Sequence, residues 1–412
     1  MRQAVPMRME PWPALRLRTA IQYYARHSWR WWRVLYEYRH GTSRPVAGRK
    51  RVLIVRLDAI GDFVLWSGAA KALRRWFGPE THVTLAANAA WADLARDADI
   101  ADEVWPVRRR MLEWDPHYRS VMQARVHGGN FAVAINSVFS REMMLGDSMV
   151  RWSRAPERIG STGEGLLLPA RERAWADGWY TTLTPASPDW MHEWERNVEF
   201  LRALGVPLEP VPTPELFIHP RELAGLGDLP EGYFIVFPGA SLPERQWGTR
   251  EFAAVARHVR QRTGWRPVLL GDGGDAAVCD AVAADLPGAI NLAGETSVPV
   301  FASIVARSRL VLTNETSAVH LAAAAGVPTV CITGGGHWDR FVPYPASLKA
   351  LATFIEVVSM AQEMTCFKCN WRCVLPHVAG QALPCVSHVP LDRVVAGVDR
   401  MLSRFAVTNS HG

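Results

Sequence analysis

The chain has 412 residues, too many for one ordinary core, and its 49% hydrophobic and 21% charged content is that of a soluble globular protein. The formal net charge of +6 hides an asymmetry: residues 1–51 carry twelve Lys and Arg against Glu10 and Glu37, a local balance of +10, while the remainder stands at −4. No run of eighteen apolar residues occurs, and arginines interrupt the N-terminus every few positions, which argues against a membrane span and a secretory signal and sets the expectation of a cytoplasmic protein.

Residues 1–50 interleave those arginines with Trp12, Trp29, Trp31, Trp32, Tyr23, Tyr24, Tyr36 and Tyr38. Leu15 to Tyr38 is expected as an amphipathic helix with an aromatic and a basic side. Such a helix suits an anionic membrane surface, peripheral on the inner face of the cytoplasmic membrane, or else packing on the body of the chain. No recognised nucleic-acid-binding module occurs, so nucleic acid is not an expected partner.

From Arg51 the pattern alternates between strand and helix, which implies parallel sheets. Val52 to Val55 is a short β-branched apolar run, and a near-helical apolar spacing follows from Phe63 to Phe77, stopped by Gly78-Pro79. Between them lies the turn Asp58-Ala59-Ile60-Gly61-Asp62, at the strand end where open α/β sheets bind ligands. His82–Ala86, Glu103–Val107, Phe131–Asn136 and Glu157–Gly160 read as further strands. Residues 108–128 read as charged and irregular, 161–190 as loop, and Trp190 to Leu204 as helix. The Pro- and Gly-rich stretch 206–231 marks a boundary between residues 51–215 and 216–400.

A second set begins at Tyr233–Phe237 and continues through a helix from Thr249 to Arg262 and a strand at Pro267–Leu270. A helix reaching Leu286, a helix from Val298 to Arg307 and a strand at Leu310–Thr313 follow. Asn314-Glu315-Thr316-Ser317 then opens a helix over Ala318–Ala325, and Thr329–Thr333 leads into Gly334-Gly335-Gly336-His337.

Three stretches carry chemistry. Asp62 is a first-turn carboxylate that either caps its helix or acts as a base. Phe237-Pro-Gly-Ala-Ser-Leu-Pro-Glu-Arg-Gln-Trp247 presents Gly239 and Ser241 in a turn and the cation Arg245. The Glu315-Thr316-Ser317 helix start, with His320 in its first turn, offers free N–H groups and hydroxyls to an anion, or is simply capped. Three glycines at 334–336 let a backbone approach a ligand closely. Asp275, after the glycine-rich loop 271–274, is a helix cap or a ribose ligand. The chain has neither Gly-x-Gly-x-x-Gly nor a Gly-Lys-Ser/Thr P-loop, which disfavours nicotinamide dehydrogenases and P-loop kinases.

These phrases resemble glycosyltransferase family 9, the heptosyltransferase-like enzymes, over roughly residues 50–400. The resemblance implies the α/β GT-B architecture, two Rossmann-like parallel-sheet domains facing a cleft, here with a basic aromatic N-terminal arm. It also implies an inverting, metal-independent enzyme that needs no cofactor for catalysis. In it Asp62 is the base, and Gly239, Ser241, Arg245, Asp275, Glu315, Thr316, Ser317 and His320 bind the nucleotide-diphosphate sugar donor. Ser317 stands where the family usually has Gly, and Glu315 where it has Asp. The Gly-rich phrase 334–336 departs from that of true heptosyltransferases, so the donor sugar stays open. The expected acceptor is a lipid-linked or cell-envelope glycan, as in lipopolysaccharide or exopolysaccharide assembly. A nucleotide-sugar epimerase, needing a second acid–base pair, and a non-catalytic nucleotide-sugar-binding protein are the rival readings.

Cys366, Cys369, Cys373 and Cys385 form C-x2-C-x3-C-x11-C. Four thiolates so close suit a tetrahedral structural zinc or another metal. Disulfides or free thiols and an iron–sulfur cluster are the alternatives.

Overall fold

A computed structural model describes residues 50–164, 170–216 and 229–406. The arm expected over 1–50 lies outside the described residues, save Lys50.

The first apolar runs become a six-stranded parallel sheet. Its strands are β1 (Arg51–Arg56), β2 (His82–Asn88), β3 (Glu103–Val107), β4 (Val133–Asn136), β5 (Glu157–Ser161) and β6 (Thr182–Thr184). Their order is β3-β2-β1-β4-β5-β6, and Leu53 pairs with Thr84 on one side and Ala134 on the other. The second sheet comprises β7 (Tyr233–Phe237), β8 (Arg266–Leu269), β9 (Ile290–Asn291), β10 (Val311–Asn314), β11 (Thr329–Ile332) and β12 (Ile355–Val358). Its order, β12-β11-β10-β7-β8-β9, is the same winding repeated. β1 from Val52 and all of β7 are buried, as strands covered on both faces must be.

In this winding the strand order reverses between β1 and β4 and between β7 and β10, and the crevice at such a switch point is where ligands bind. All four strands run directly into the loops described below. The described residues of both sheets belong to one compact unit.

Helix α1 (Ile60–Phe77) leaves the β1 turn and packs across the second half. A Cβ on Gly61 would stand 2.8 Å from the His320 ring, and one on Gly68 2.1 Å from the Thr213 carbonyl oxygen. The two glycines therefore admit what lies on the helix.

The stretch expected to be irregular, 108–128, holds two helices, α2 (Arg109–Trp114) and α3 (Pro116–Gly128). Asp115 caps α3 by accepting the Tyr118 N–H at 3.0 Å, and Pro116 fills its first position. The core of this stretch includes Arg119, fully buried, its guanidinium bonded to the carbonyls of Leu112 and Met144 and to the Ser148 hydroxyl. A helix also spans Ala170–Asp177 and β6 follows it, within the stretch read as loop. Helix α4 (Glu193–Ala203) and helix α5 (Ser317–Ala324) complete the framework of the cleft.

Candidate functional site

β1 ends in Arg56, a fully buried guanidinium at the base of the cleft. It donates to the Ser137 carbonyl at 3.1 Å and the Asn197 side chain at 3.0 Å, and lies 5.3 Å from the Trp66 ring. Its Nε stands 2.6 Å from Asp58 and its Nη2 3.6 Å from Glu193. Four residues past Asp58, Asp62 accepts the Ala59 N–H at 3.1 Å in the first turn of α1.

Asp58, Asp62 and Glu193, though not the buried Arg56 behind them, line a cavity of about 280 Å³ between the halves. Its wall carries five carboxylates, Asp58, Asp62, Glu142, Glu164 and Glu193, and two guanidiniums, Arg109 and Arg340. Arg109 bridges the Leu57 carbonyl and Glu142, each at 2.7 Å. Arg340 reaches over from the second half to the Ser140 hydroxyl at 2.7 Å, Glu164 at 3.3 Å and Glu193 at 3.4 Å.

Burial among acids makes charge costly here. Burial first, and then the Glu193 carboxylate, raises Asp62 to about 6, while Arg56, Arg340 and the Ala59 N–H pull it back. Burial likewise pushes Asp58 well up, against the pull of Arg56. A carboxyl titrating near 6 is still largely ionised at neutral pH and is basic enough to take a proton from a bound hydroxyl.

The second switch point holds the other constellation. Asn314, the last residue of β10, accepts the Trp247 N–H at 3.1 Å and donates to the carbonyls of Pro238 at 2.7 Å and Gly239 at 3.3 Å. It thereby stitches the loop after β7 to the loop after β10. Arg245 donates to the Ser241 hydroxyl at 3.2 Å, and to the Glu315 carbonyl and carboxylate at 3.1 and 3.3 Å. The other Glu315 oxygen accepts the Thr333 hydroxyl at 2.7 Å. A Cβ on Gly239 would stand 2.1 Å from the Asp275 carboxylate, so Asp275 joins the same loop cluster. Thr316 caps α5 by accepting the Ala318 N–H at 3.3 Å, and Ser317 follows it half-buried.

Residues 180–371 match the family described as Glycosyltransferase family 9 (heptosyltransferase). Over those residues the chain carries a glycosyltransferase family 9 match. Solved structures agree on the fold. A family 9 glycosyltransferase from Veillonella parvula is 18% identical, with 88% of this chain and 100% of that chain covered at a TM-score of 0.64. The E. coli heptosyltransferase WaaC with ADP-2-deoxy-2-fluoro heptose is 17% identical, with 85% and 99% covered at 0.58. The dodecameric iron-containing heptosyltransferase TibC, from enterotoxigenic E. coli, in complex with ADP-D-β-D-heptose is 12% identical, with 88% and 79% covered at 0.52. No curated protein matches. The two six-stranded parallel sheets are the GT-B architecture, and the chain is a glycosyltransferase.

Within this glycosyltransferase, Gly239, Ser241, Arg245, Asp275, Glu315, Thr316 and Ser317 come together as one cluster, and Asp62 faces the cavity. His320 departs from its expected place. It is buried, its Nδ1 lies 2.8 Å from the Tyr344 hydroxyl, and its ring stacks on Tyr344 and abuts Gly61. Burial, with His192 nearby, lowers it to about 3, so it is a neutral packing group where the halves meet.

Gly334–Gly336 also differ from expectation: they seat the cysteine loop. The N–H groups of Lys368 and Asn370 donate to the Gly335 and Gly336 carbonyls at 2.6 and 2.8 Å. Cys366, Cys369, Cys373 and Cys385 converge behind that loop, close enough that each of the other three thiols raises Cys385. The Gly335 N–H points at the Cys385 sulfur and the Trp371 N–H at the Cys369 sulfur. All four are free thiols, and among the described residues no group of three or more His, Cys, Asp or Glu has the geometry to hold a metal ion.

Sequence reading missed Arg56, Arg109, Glu193, Arg340 and Asn370. Isolated polar residues carry no periodic signal, and only folding reveals that Arg109, Glu193, Arg340 and Asn370 share one cavity with Arg56 buried behind Asp58.

Proposed function

We propose that this enzyme is an inverting transferase that moves a sugar, heptose or another, from a nucleotide-diphosphate donor to a hydroxyl of a cell-envelope or lipid-linked glycan. The observation that carries the reading is Asp62, held at the switch point of the first sheet and raised to about 6 within the cleft. Asp62 takes the acceptor proton as the hydroxyl oxygen attacks the anomeric carbon on the face opposite the diphosphate. The bond to the donor oxygen breaks, and Arg245 with the start of α5 offsets the charge left on the diphosphate. The acceptor half is residues 51–215 and the donor half 216–400. ADP-heptose and its fluoro analogue, bound by the structural relatives, make an ADP-sugar the first donor to try.

The four thiols as they stand do not form a metal site, but their chemistry suits a structural zinc with no part in the reaction if they close on an ion, with iron, as in TibC, the alternative. Residues 1–50 bring the enzyme to an anionic membrane surface. No helix among the described residues is long and apolar enough to cross a membrane, so attachment through the arm would be peripheral.

The experiment is a thermal-shift screen across ADP-, GDP-, UDP- and dTDP-sugars, followed by transfer assays with the donor that binds. A ligand at 100 times its Kd stabilises by about 2.7 kcal/mol. Binding without turnover on any glycan acceptor would leave a nucleotide-sugar-binding protein and end the transferase mechanism.

A further inference from the structure

The cysteine loop forms one wall of the site. A Cβ on Gly336 would stand 2.2 Å from the Trp371 ring, and one on Gly335 2.9 Å from the Phe367 ring, so these glycines exist to seat the loop. Lys368, Asn370 and Trp371 all adopt left-handed backbone, with φ of 68°, 51° and 61°. Residues with a Cβ rarely take that conformation, and it persists only where surrounding contacts impose it.

The outcome is a fixed presentation toward Arg245. The Arg245 guanidinium carbon lies 4.7 Å from the centre of the Trp371 ring. Asn370 binds His337 Nε2 at 2.8 Å, and the Trp371 ring meets the His337 ring edge-on at 5.8 Å. Arg245 Nε is buried and makes no hydrogen bond among the described residues. Its Nη groups touch the exposed Ser241 and the Glu315 carbonyl and carboxylate, which leaves the plane of the guanidinium to the indole face.

We propose that Trp371 is a positioning residue for the donor diphosphate: its ring holds Arg245 in the orientation that binds the phosphates. The proposal rests on Arg245 being the diphosphate's cation, the reading given above.

The test measures ADP, GDP, UDP and dTDP binding to the full chain by calorimetry and keeps the tightest nucleotide as probe. Arg245→Ala weakens it about tenfold or more, the scale of a lost charge-assisted contact. Trp371→Leu weakens it roughly 3- to 30-fold, the range of a cation–π contact. Trp371→Phe, which keeps an aromatic face, stays within about threefold of wild type. In the Arg245→Ala background, Trp371→Leu adds nothing, because the group it positions is gone. Should Trp371→Leu also lower the melting temperature, the Phe variant and the double variant still decide. Additive losses, or a Phe variant as weak as the Leu variant, overturn the positioning role while the donor reading stands. Unchanged affinity in Arg245→Ala, or no binding of any of the four nucleotides to wild type, overturns the donor reading and the proposal with it.

Discussion

Glu193 and Arg340 join the two halves across the cleft twice over. The Glu193 N–H donates to the Arg340 carbonyl at 2.8 Å, and the Arg340 guanidinium stands 3.4 Å from the Glu193 carboxylate. The same carboxylate faces Arg56 at 3.6 Å, and its charge is the second-largest influence raising Asp62. One side chain therefore ties the two halves together and adds to the basicity of the group expected to take the proton.

Glu193→Gln separates those roles, since the amide keeps the size and the backbone bond. Removing the negative charge withdraws one cause of the raised Asp62 and leaves Arg56 and Arg340 freer to pull it down. The acid limb of kcat against pH, expected near 6 in wild type, should move to lower pH in the variant. A limb that stays in place, or moves up, would mean that the titrating group is not Asp62.

For the cysteines the decisive quantity is metal content. If the four thiols close on an ion, protein purified without chelator should carry near-stoichiometric zinc or iron, and Cys369→Ser should lose most of it. Binding energy of that kind is folding energy, so the metal-free form should melt earlier. Protein without metal, with all four thiols titratable, would leave the group as free thiols, of which Cys385 alone is buried.

Much of the fold was readable because it is written in short-range pattern. Val52–Val55 and Tyr233–Phe237 are apolar runs of strand length, and the Gly61-Asp62 and Thr316-Ser317 turns sit directly after strands. What failed to show was burial of charge. Arg119 sits at the core of α3, where a sequence reading places an arginine on the surface, and so 108–128 looked irregular. Part of the cavity wall was hidden for a related reason: Glu193 and Arg340 are 147 residues apart and acquire meaning only from each other. At His320 the sequence placed the residue correctly in the first turn of its helix, but the direction of its ring depends on Gly61 in the other half.

His320 gives a stability prediction with a definite sign. Its folded value of about 3 lies below the ordinary 6.5, so the unfolded chain takes up a proton that the fold refuses. The group therefore costs nothing above pH 6.5 and destabilises progressively as pH falls below it, by at most about 1.4 kcal/mol per unit. Asp62 and Glu315, raised by burial, run the other way, but they are common to both proteins and cancel in the comparison. His320→Gln should lose roughly 1–2 kcal/mol at pH 7.5 with its Tyr344 contact. That deficit should shrink between pH 6.5 and pH 4 in chemical denaturation. A deficit constant with pH would mean that His320 is not held neutral.

Asp62 and Asp58 are the pair that tests the mechanism most directly. Asp58 stands four residues before Asp62 in the same turn. In the structure it lines the same cavity, 2.6 Å from the fully buried Arg56. Each substitution should therefore fail in its own way. Asp62→Asn keeps an oxygen to accept the Ala59 N–H, so melting temperature and donor binding should stay near wild type while turnover drops on the order of 10²-fold or more. Asp58→Asn strips Arg56 of its nearest counter-charge and leaves a buried cation less compensated, a loss of about 3 kcal/mol or somewhat less given the remaining Glu193 and Asn197 contacts. Its turnover, measured on the fraction still folded, should fall far less than that of Asp62→Asn. Full activity in Asp62→Asn would remove Asp62 as the base. If stability and activity fell together there, the carboxylate would be a helix cap and no more.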